Sequence, residues 1–184
     1  MHLVRRVLQY EYPKYRKHLK ALDTESRVLR FGFAVKDEAI DRLCDEFEKN
    51  PSQHVLFCVE DINLEFVGVG HIALQGEMEL AFSVLKTHRN QGIGAALIQR
   101  AVRYCRTHGI LKGQMVCLST NTVIKQLCAK NGVKMTTDRS ETYGTIELEP
   151  ADFPTILEEQ ASAHAAATDF FIKRAVNFLV VPPQ

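Results

Sequence analysis

The sequence predicts an α/β domain with a central mixed, mostly antiparallel sheet, flanked by helices and splayed between two parallel strands. Three observations predict it. Residues 54–59, 64–74 and 77–85 are apolar runs rich in β-branched or aromatic side chains, joined by short polar connections at 60–63 and 75–76. Connections that short make neighbouring strands antiparallel. A long amphipathic segment, residues 94–108, separates the third run from another at 113–119, and a helical crossover makes those two strands parallel. Two glycines, Gly92 and Gly94, stand one residue apart where the third strand gives way to that helix. Parallel strands that part where a helix begins leave a cleft that admits a slender ligand.

The 184 residues suit one domain of ordinary size, and a hydrophobic content of 46% supplies a core. Lys and Arg number 23 against 22 Asp and Glu, a net charge of +1. That balance gives no overall electrostatic case for nucleic acid or an anionic membrane as partner. The cysteines, Cys44, Cys58, Cys105, Cys117 and Cys128, are odd in number and lack C-x-x-C spacing. They read as buried reduced thiols rather than disulfides or zinc ligands. No histidine pair has metal-ligand spacing, so no metal is expected. No signal-like apolar core follows Met1, and no apolar run reaches the ~18 residues of a membrane span. A cytoplasmic protein is expected.

Residues 3–9 predict a short first strand. A helix follows over 12–22, with Pro13 near its start and Tyr15, Leu19 and Leu22 on one face. Residues 37–49 form a second helix, with Ile40, Leu43, Cys44 and Phe47 together. In the strand 64–74, Gly68 and Gly70 suggest a bulge or bend. In the strand 77–85, Met78, Leu80, Phe82 and Val84 face one way; Glu77, Glu79, Ala81 and Ser83 face the other. The helix 94–108 carries Ala95, Ile98, Val102 and Cys105 along one stripe, with Arg100, Arg103 and Arg106 on a solvated face. Thr120, Asn121 and Thr122 cap a further helix that ends at Gly132, and strands at 134–137 and 141–148 close the domain. The tail, mostly helical over 155–173, carries Phe170, Phe171, Ile172, Val176, Phe178, Leu179 and Val180. So much apolar surface does not stay in water; a contact with a second copy in a homodimer ranks above packing in cis, and roofing the acceptor site is a third option. The expected division is a domain over 1–150 and an extension over 151–184.

A strand that ends and a helix that begins at Gly92 leave several backbone N–H groups aimed at one spot. With the helix dipole behind them they suit a phosphate, which glycine lets approach the backbone closely. A dinucleotide fingerprint would need a third glycine at Leu97, and no Gly-Lys-Ser/Thr run exists for a nucleotide P-loop. What remains is R-x-x-G-x-G at Arg89, Gly92 and Gly94. This resembles the pyrophosphate-binding motif of the GCN5-related N-acetyltransferase (GNAT) family, which holds acetyl-coenzyme A. Val84 matches the wider family pattern; Lys86 departs from it where proline is usual. Residues 22–31, with Ser26-Arg27 ahead of Arg30-Phe31, resemble a segment that follows the first helix in that family. Residues 121–133 resemble a second signature, matched at Asn121, Leu127, Lys130 and Gly132, with Cys128 in place of a tyrosine and Val133 in place of a phenylalanine. The resemblance covers about residues 1–150.

The resemblance implies an acetyl-CoA-dependent N-acetyltransferase that acts on a primary amine of a small molecule or protein by direct attack in a ternary complex. Acetyl-CoA would be held by the backbone of Arg89, Asn90, Gln91, Gly92, Ile93, Gly94 and Ala95. The backbone of Val84 and Leu85 would run alongside the pantetheine arm, and the Asn121 side chain would join them. Arg89 is a phosphate partner and loop anchor rather than a catalyst. The region between the first two helices forms a wall of the acceptor site. A backbone N–H near Ser83-Val84 would polarise the thioester carbonyl. Glu79 is the general base, with Glu77, on the same face, as its substitute; Glu60 and Asp61 rank below them. Cys128 stands where the thiolate-protonating tyrosine would be, with Tyr143 and Ser119 as other polar candidates, and His88 adjoins the phosphate loop. A second function class stays open: a catalytically inactive acyl-CoA-binding regulatory module. The missing tyrosine favours that class, and Glu79 favours the enzyme.

Overall fold

The computed structural model of the chain describes residues 2–130, 134–138 and 141–180. The helix end expected at Gly132, with Val133 beside it, lies outside the described residues. The first half runs β1 (Arg5–Arg6), α1 (Tyr12–Lys20), α2 (Thr24–Phe31), α3 (Asp37–Lys49), β2 (His54–Glu60), β3 (Phe66–Ala73) and β4 (Met78–Val84). The second runs α4 (Ile93–Thr107), β5 (Lys112–Leu118), α5 (Thr122–Lys130), β6 (Lys134–Asp138), β7 (Glu141–Glu147) and α6 (Phe153–Val180).

Among the described residues one sheet forms, in the order β1-β2-β3-β4-β5-β7-β6. Every neighbouring pair is antiparallel except β4 and β5, which are parallel and in register only at Met78 with Gly113 and Glu79 with Gln114. Beyond those pairs β4 runs on to Val84 and β5 to Leu118 without pairing to each other. The two parallel strands part as expected, and the α4 N-terminus lies at the end of the gap.

Each face of the sheet has its own core. On one, Phe57, Ile72, Leu80 and Met115 pack with Leu97, Ala101 and Cys105 of α4 and Cys128 of α5. On the other, Leu56, Cys58 and Val69 pack with Tyr15 and Leu19 of α1 and Ile40, Cys44 and Phe47 of α3. Full burial of a side chain such as Leu97 stabilises by about 1.5–3 kcal/mol, so these two layers fix where the helix ends fall.

Three local expectations are corrected. The first strand is only Arg5–Arg6, because the chain turns at 9–11 and brings Glu11 back to Arg5 at 2.6 Å. Glu60, expected in the polar turn, ends β2 and is buried against the same Arg5; the turn proper is built by Asp61, whose Oδ1 accepts N–H bonds from Asn63 and Glu65 at 2.9 Å each. Of Gly68 and Gly70, only Gly68 adjoins a bulge: the register steps from Val59 opposite Gly68 to Glu60 opposite Phe66, so the extra residue is Val67 of β3. Both glycines also make room: a Cβ at Gly68 would stand 2.5 Å from Ile93 Cγ2 and one at Gly70 would stand 2.9 Å from the Phe82 ring. β3 thereby lets the first turn of α4 sit directly on the sheet.

The solvated face expected on α4 is instead where α6 packs. Arg100 is 4% exposed and ion-paired with Glu159 of α6. Arg103 donates to Ser162 Oγ at 3.1 Å, and Arg106 donates to the carbonyls of Glu149 and Pro150. Farther along, Phe170 stacks on the Arg5 guanidinium at 4.3 Å, and Lys173 and Asn177 donate to the carbonyls of Glu60 and Ile62. The helix thus lies over α4 and along the edge strand β1, which it shields from other strands. Phe171, Ile172, Phe178 and Leu179 remain exposed on it.

Candidate active site

A cavity of about 380 Å³ opens where β4 and β5 part. α2 supplies one wall through Ser26, Leu29 and Arg30, and β4 supplies Phe82, Ser83 and Val84. The junction supplies His88, Arg89, Asn90 and Gly92, followed by Ile93, Gly94 and Ala95 of α4. Asn121 and the α5 residues Val123, Ile124 and Leu127 close the far side.

The junction has the local geometry that an anion site needs. Gly92 is the residue before α4 and has φ +83°, in the left-handed region that glycine adopts without strain. Asn90, with φ 61°, is the other left-handed residue there. The first bond of the α4 ladder runs from Ala96 N–H to Gly92 O at 3.1 Å. The N–H groups of Ile93, Gly94 and Ala95 therefore precede the ladder, at the positive end of the helix dipole. Among the described residues, no Asp or Glu lines the cavity.

Arg89 anchors this loop. Its Nη2 donates to Ser26 Oγ at 2.6 Å and its Nε to Val84 O at 3.5 Å, so the end of β4 is tied to α2. α2 is held in turn by Asp23, which caps it by accepting from Ser26 N–H at 2.8 Å. Arg27 donates to the carbonyls of Leu22, Val35 and Lys20. Asn121 caps α5, its Oδ1 accepting from Ile124 N–H at 3.3 Å.

The expected site residues divide into two groups. Val84, Arg89, Asn90, Gly92, Ile93, Gly94, Ala95 and Asn121 come together around the cavity. Leu85 and Gln91 do not line it: Leu85 N–H is donated to Val67 O at 2.9 Å, and Gln91 O faces His2 Nε2 at 2.6 Å. Glu79 is exposed on β4 opposite Ala73, and Glu77 is exposed just before that strand; neither lines the cavity. Cys128 is fully buried, its S–H directed to Met115 Sδ at 3.4 Å, and burial pushes its thiol up to about 12. It is packed in the core, away from the cavity lining. Ser119 ends beside α5, where its carbonyl accepts from Lys125 Nζ at 2.7 Å. The side chain of Tyr143 lies outside the described residues.

Sequence reading placed the segment of Ser26 and Arg30 in a wall of the site but gave neither residue a role, used Ser83 only through its backbone, and missed His18 behind it. Burial pushes His18 down to about 4, the bond to the Phe66 carbonyl opposes that, and the Arg30 charge adds to it. The same causes, burial first and then Arg30 and His54, hold His71 well below the usual histidine range. The segment 22–31 held the signal for α2: Asp23 three residues before Ser26 is a cap spacing, and Gly32 is a left-handed helix end with φ 83°.

Solved structures share this architecture. The GNAT domain of S. lividans PAT is similar at 18% identity, with 79% of this chain and 89% of that chain covered and a TM-score of 0.64. The ribosomal-protein-alanine N-acetyltransferase from Brucella melitensis gives 13% identity, coverage of 79% and 99%, and a TM-score of 0.62. The PaiA N-acetyltransferase from Thermoplasma acidophilum, solved in complex with coenzyme A, gives 16%, coverage of 78% and 97%, and 0.58. At these identities the likeness is one of fold. The sequence pattern of the Acetyltransferase (GNAT) family matches residues 19–132, more than half of the chain. With that match, and with a helix N-terminus opening between parting parallel strands, the chain belongs to the Acetyltransferase (GNAT) family, whose general activity is acetyl transfer.

Proposed function

We propose that the chain is an acetyl-CoA-dependent N-acetyltransferase that moves an acetyl group to a primary amine by direct attack, with both substrates bound. One observation carries this reading: the N–H groups of Ile93, Gly94 and Ala95 precede the α4 ladder inside a cavity with no acidic lining among the described residues. Such a spot fits a pyrophosphate. The apolar side chains of Phe82, Val84, Ile124 and Leu127 continue the cavity away from it, as the slender pantetheine arm of acetyl-CoA requires. The thioester that acetyl-CoA supplies is an activated acetyl donor, so the protein has to hold, orient and move protons.

In this reading Arg89 holds the loop and adds a cation near the phosphates. Asn121 fixes the start of α5 beside them. Glu79 takes the first proton from the acceptor ammonium through water, because an ammonium is mostly protonated near neutrality and cannot attack; Glu77 is the substitute. A backbone N–H near Ser83-Val84 stabilises the developing oxyanion. The uncovered row Phe171, Ile172, Phe178 and Leu179 of α6 is the surface we assign to contact with a second copy.

The second reading is an acyl-CoA-binding regulatory module without turnover. It is favoured by one observation: neither Glu79 nor Cys128 lines the cavity. A thiol-release assay with acetyl-CoA and a panel of small amines, polyamines, aminoglycosides and peptides with free amino groups separates the two. Release that requires an amine, with an acetylated product in equal amount, supports the enzyme. Tight binding of acetyl-CoA without release on any acceptor supports the module.

A further inference from the structure

The hydroxyl of Ser83 is held by a buried histidine. His18 of α1 is 2% exposed, and its ring reaches β4 across the sheet face. Its Nδ1 lies 2.8 Å from the carbonyl oxygen of Phe66, and its Nε2 lies 2.9 Å from Ser83 Oγ. A carbonyl oxygen only accepts, so Nδ1 carries the ring proton and Nε2 offers a lone pair. The Ser83 O–H therefore donates to Nε2. A hydroxyl, a base within hydrogen-bond reach, and a third group that fixes the tautomer of the base make an activated pair. Ser83 lines the cavity between Phe82 and Val84, past the point where β4 and β5 stop pairing.

We infer that Ser83 and His18 form a proton relay that carries the second proton of the reaction from the acceptor nitrogen to the departing sulfur. The inference rests on the acetyl-transfer reading. The first proton, lost by the ammonium before attack, is not assigned to the pair. When the neutral amine bonds to the acetyl carbon, its nitrogen holds one proton too many. Ser83 Oγ takes that proton while passing its own to His18 Nε2. As the carbon–sulfur bond breaks, His18 returns a proton to Ser83, and Ser83 gives one to the sulfur. The nitrogen–carbon bond has formed, the carbon–sulfur bond has broken, and Ser83 and His18 end as they began, so no further reactant is needed. Burial and the Arg30 charge keep His18 weakly basic, which suits a carrier that must release its proton at once. Ser83 is the catalytic residue here, and His18 is a positioning residue that acts through it. The relay supplies the thiolate proton that Cys128, sealed in the core, is not placed to give.

The test uses the full chain and any amine that it acetylates. Ser83→Ala should lower kcat ~10²-fold, the usual contribution of positioned proton transfer, with KM for acetyl-CoA unchanged. Ser83→Thr, which keeps the hydroxyl, should retain most of the rate. The double variant Ser83→Ala/His18→Gln should be no slower than the slower single variant, because the two act as a unit. A full rate in Ser83→Ala, or losses in the double variant that multiply, would overturn the relay. Nitrogen NMR of His18 in the unaltered protein gives a check that needs no variant to fold: the proton should sit on Nδ1, and a proton on Nε2 would also overturn it. An unaltered protein inactive on every amine would sink the transferase reading and the relay together. An active protein indifferent to Ser83→Ala would sink the relay alone.

Discussion

Arg89 Nη2 lies 2.6 Å from Ser26 Oγ, a bond that joins the loop before α4 to the helix on the opposite wall of the cavity. Through it the loop before α4, which we propose holds the phosphates, and the α2 wall of the cavity are one mechanical piece. Arg89→Ala removes both the tether and a cation, and a hydrogen bond to a charged group contributes about 1.5–3 kcal/mol. Acetyl-CoA affinity should fall by about tenfold or more, read by calorimetry. Ser26→Ala, which removes the tether and leaves the cation, should cost less. Equal losses in the two variants would mean that Arg89 contributes only as an anchor.

Gly92 separates strain from occlusion. A Cβ there meets nothing within 4 Å, but the φ of +83° strains any residue with a side chain. The strain is about 1–2 kcal/mol for most residues and less for asparagine, which tolerates this region. Gly92→Asn should fold and bind acetyl-CoA somewhat more weakly. Gly92→Glu should fold and bind none detectably, because the added carboxylate occupies and repels the phosphate site. If the glutamate variant binds as well as the asparagine variant, phosphate does not come to this spot.

Glu79 is the proposed entry point for the first proton. Glu79→Gln keeps the shape and should reduce turnover ~10²-fold, with acetyl-CoA affinity unchanged. Should Glu77→Gln produce that loss instead, the base lies two residues earlier. Full rates in both variants would mean that the ammonium loses its proton to solvent.

The buried histidines set an acid limit on stability. His18 is pushed down from 6.5 to about 4 in the folded chain, so across that window the unfolded chain binds a proton that the folded one does not. Stability therefore falls as pH drops from 6.5 towards 4, by roughly 3 kcal/mol from His18 at the acid end. His71, held well below the usual histidine range by burial, acts in the same direction. Urea unfolding across this window should show a shallower pH slope for His18→Gln than for the unaltered chain. An unchanged slope would show that His18 titrates normally when folded.

The Arg100–Glu159 pair fastens α6 to α4. Glu159→Ala leaves a buried guanidinium without its carboxylate and should cost about 3–5 kcal/mol, read by thermal unfolding. Cutting the chain after Glu149 also bares the α4 surface and should cause aggregation. Sedimentation of the intact chain should give a dimer mass if the exposed row of α6 meets a second copy; a monomer mass would contradict that contact.

Much of this architecture could be read locally. α3 lies at Asp37–Lys49, where periodicity put it, and β2 to β4 follow from short connections between apolar runs. That Arg89, Gly92 and Gly94 gather at the start of α4 is legible because the turn that opens a helix is a short stretch of backbone. What escaped depends on distant partners. Arg100 is buried because Glu159 arrives 59 residues later. Gly68 is small because Ile93 sits on it. His18 gains a role only when the fold brings Ser83, 65 positions later, to its ring. No sequence window contains both members of such pairs.

In the complex we propose, acetyl-CoA binds with its phosphates on the first turn of α4 and its arm along β4. Backbone amide NMR during an acetyl-CoA titration reads both contacts. The amides of Gly92, Ile93, Gly94 and Ala95 should shift most, with Val84 and Asn121 following. Saturable binding that leaves those four amides unmoved would place the phosphates elsewhere on the protein.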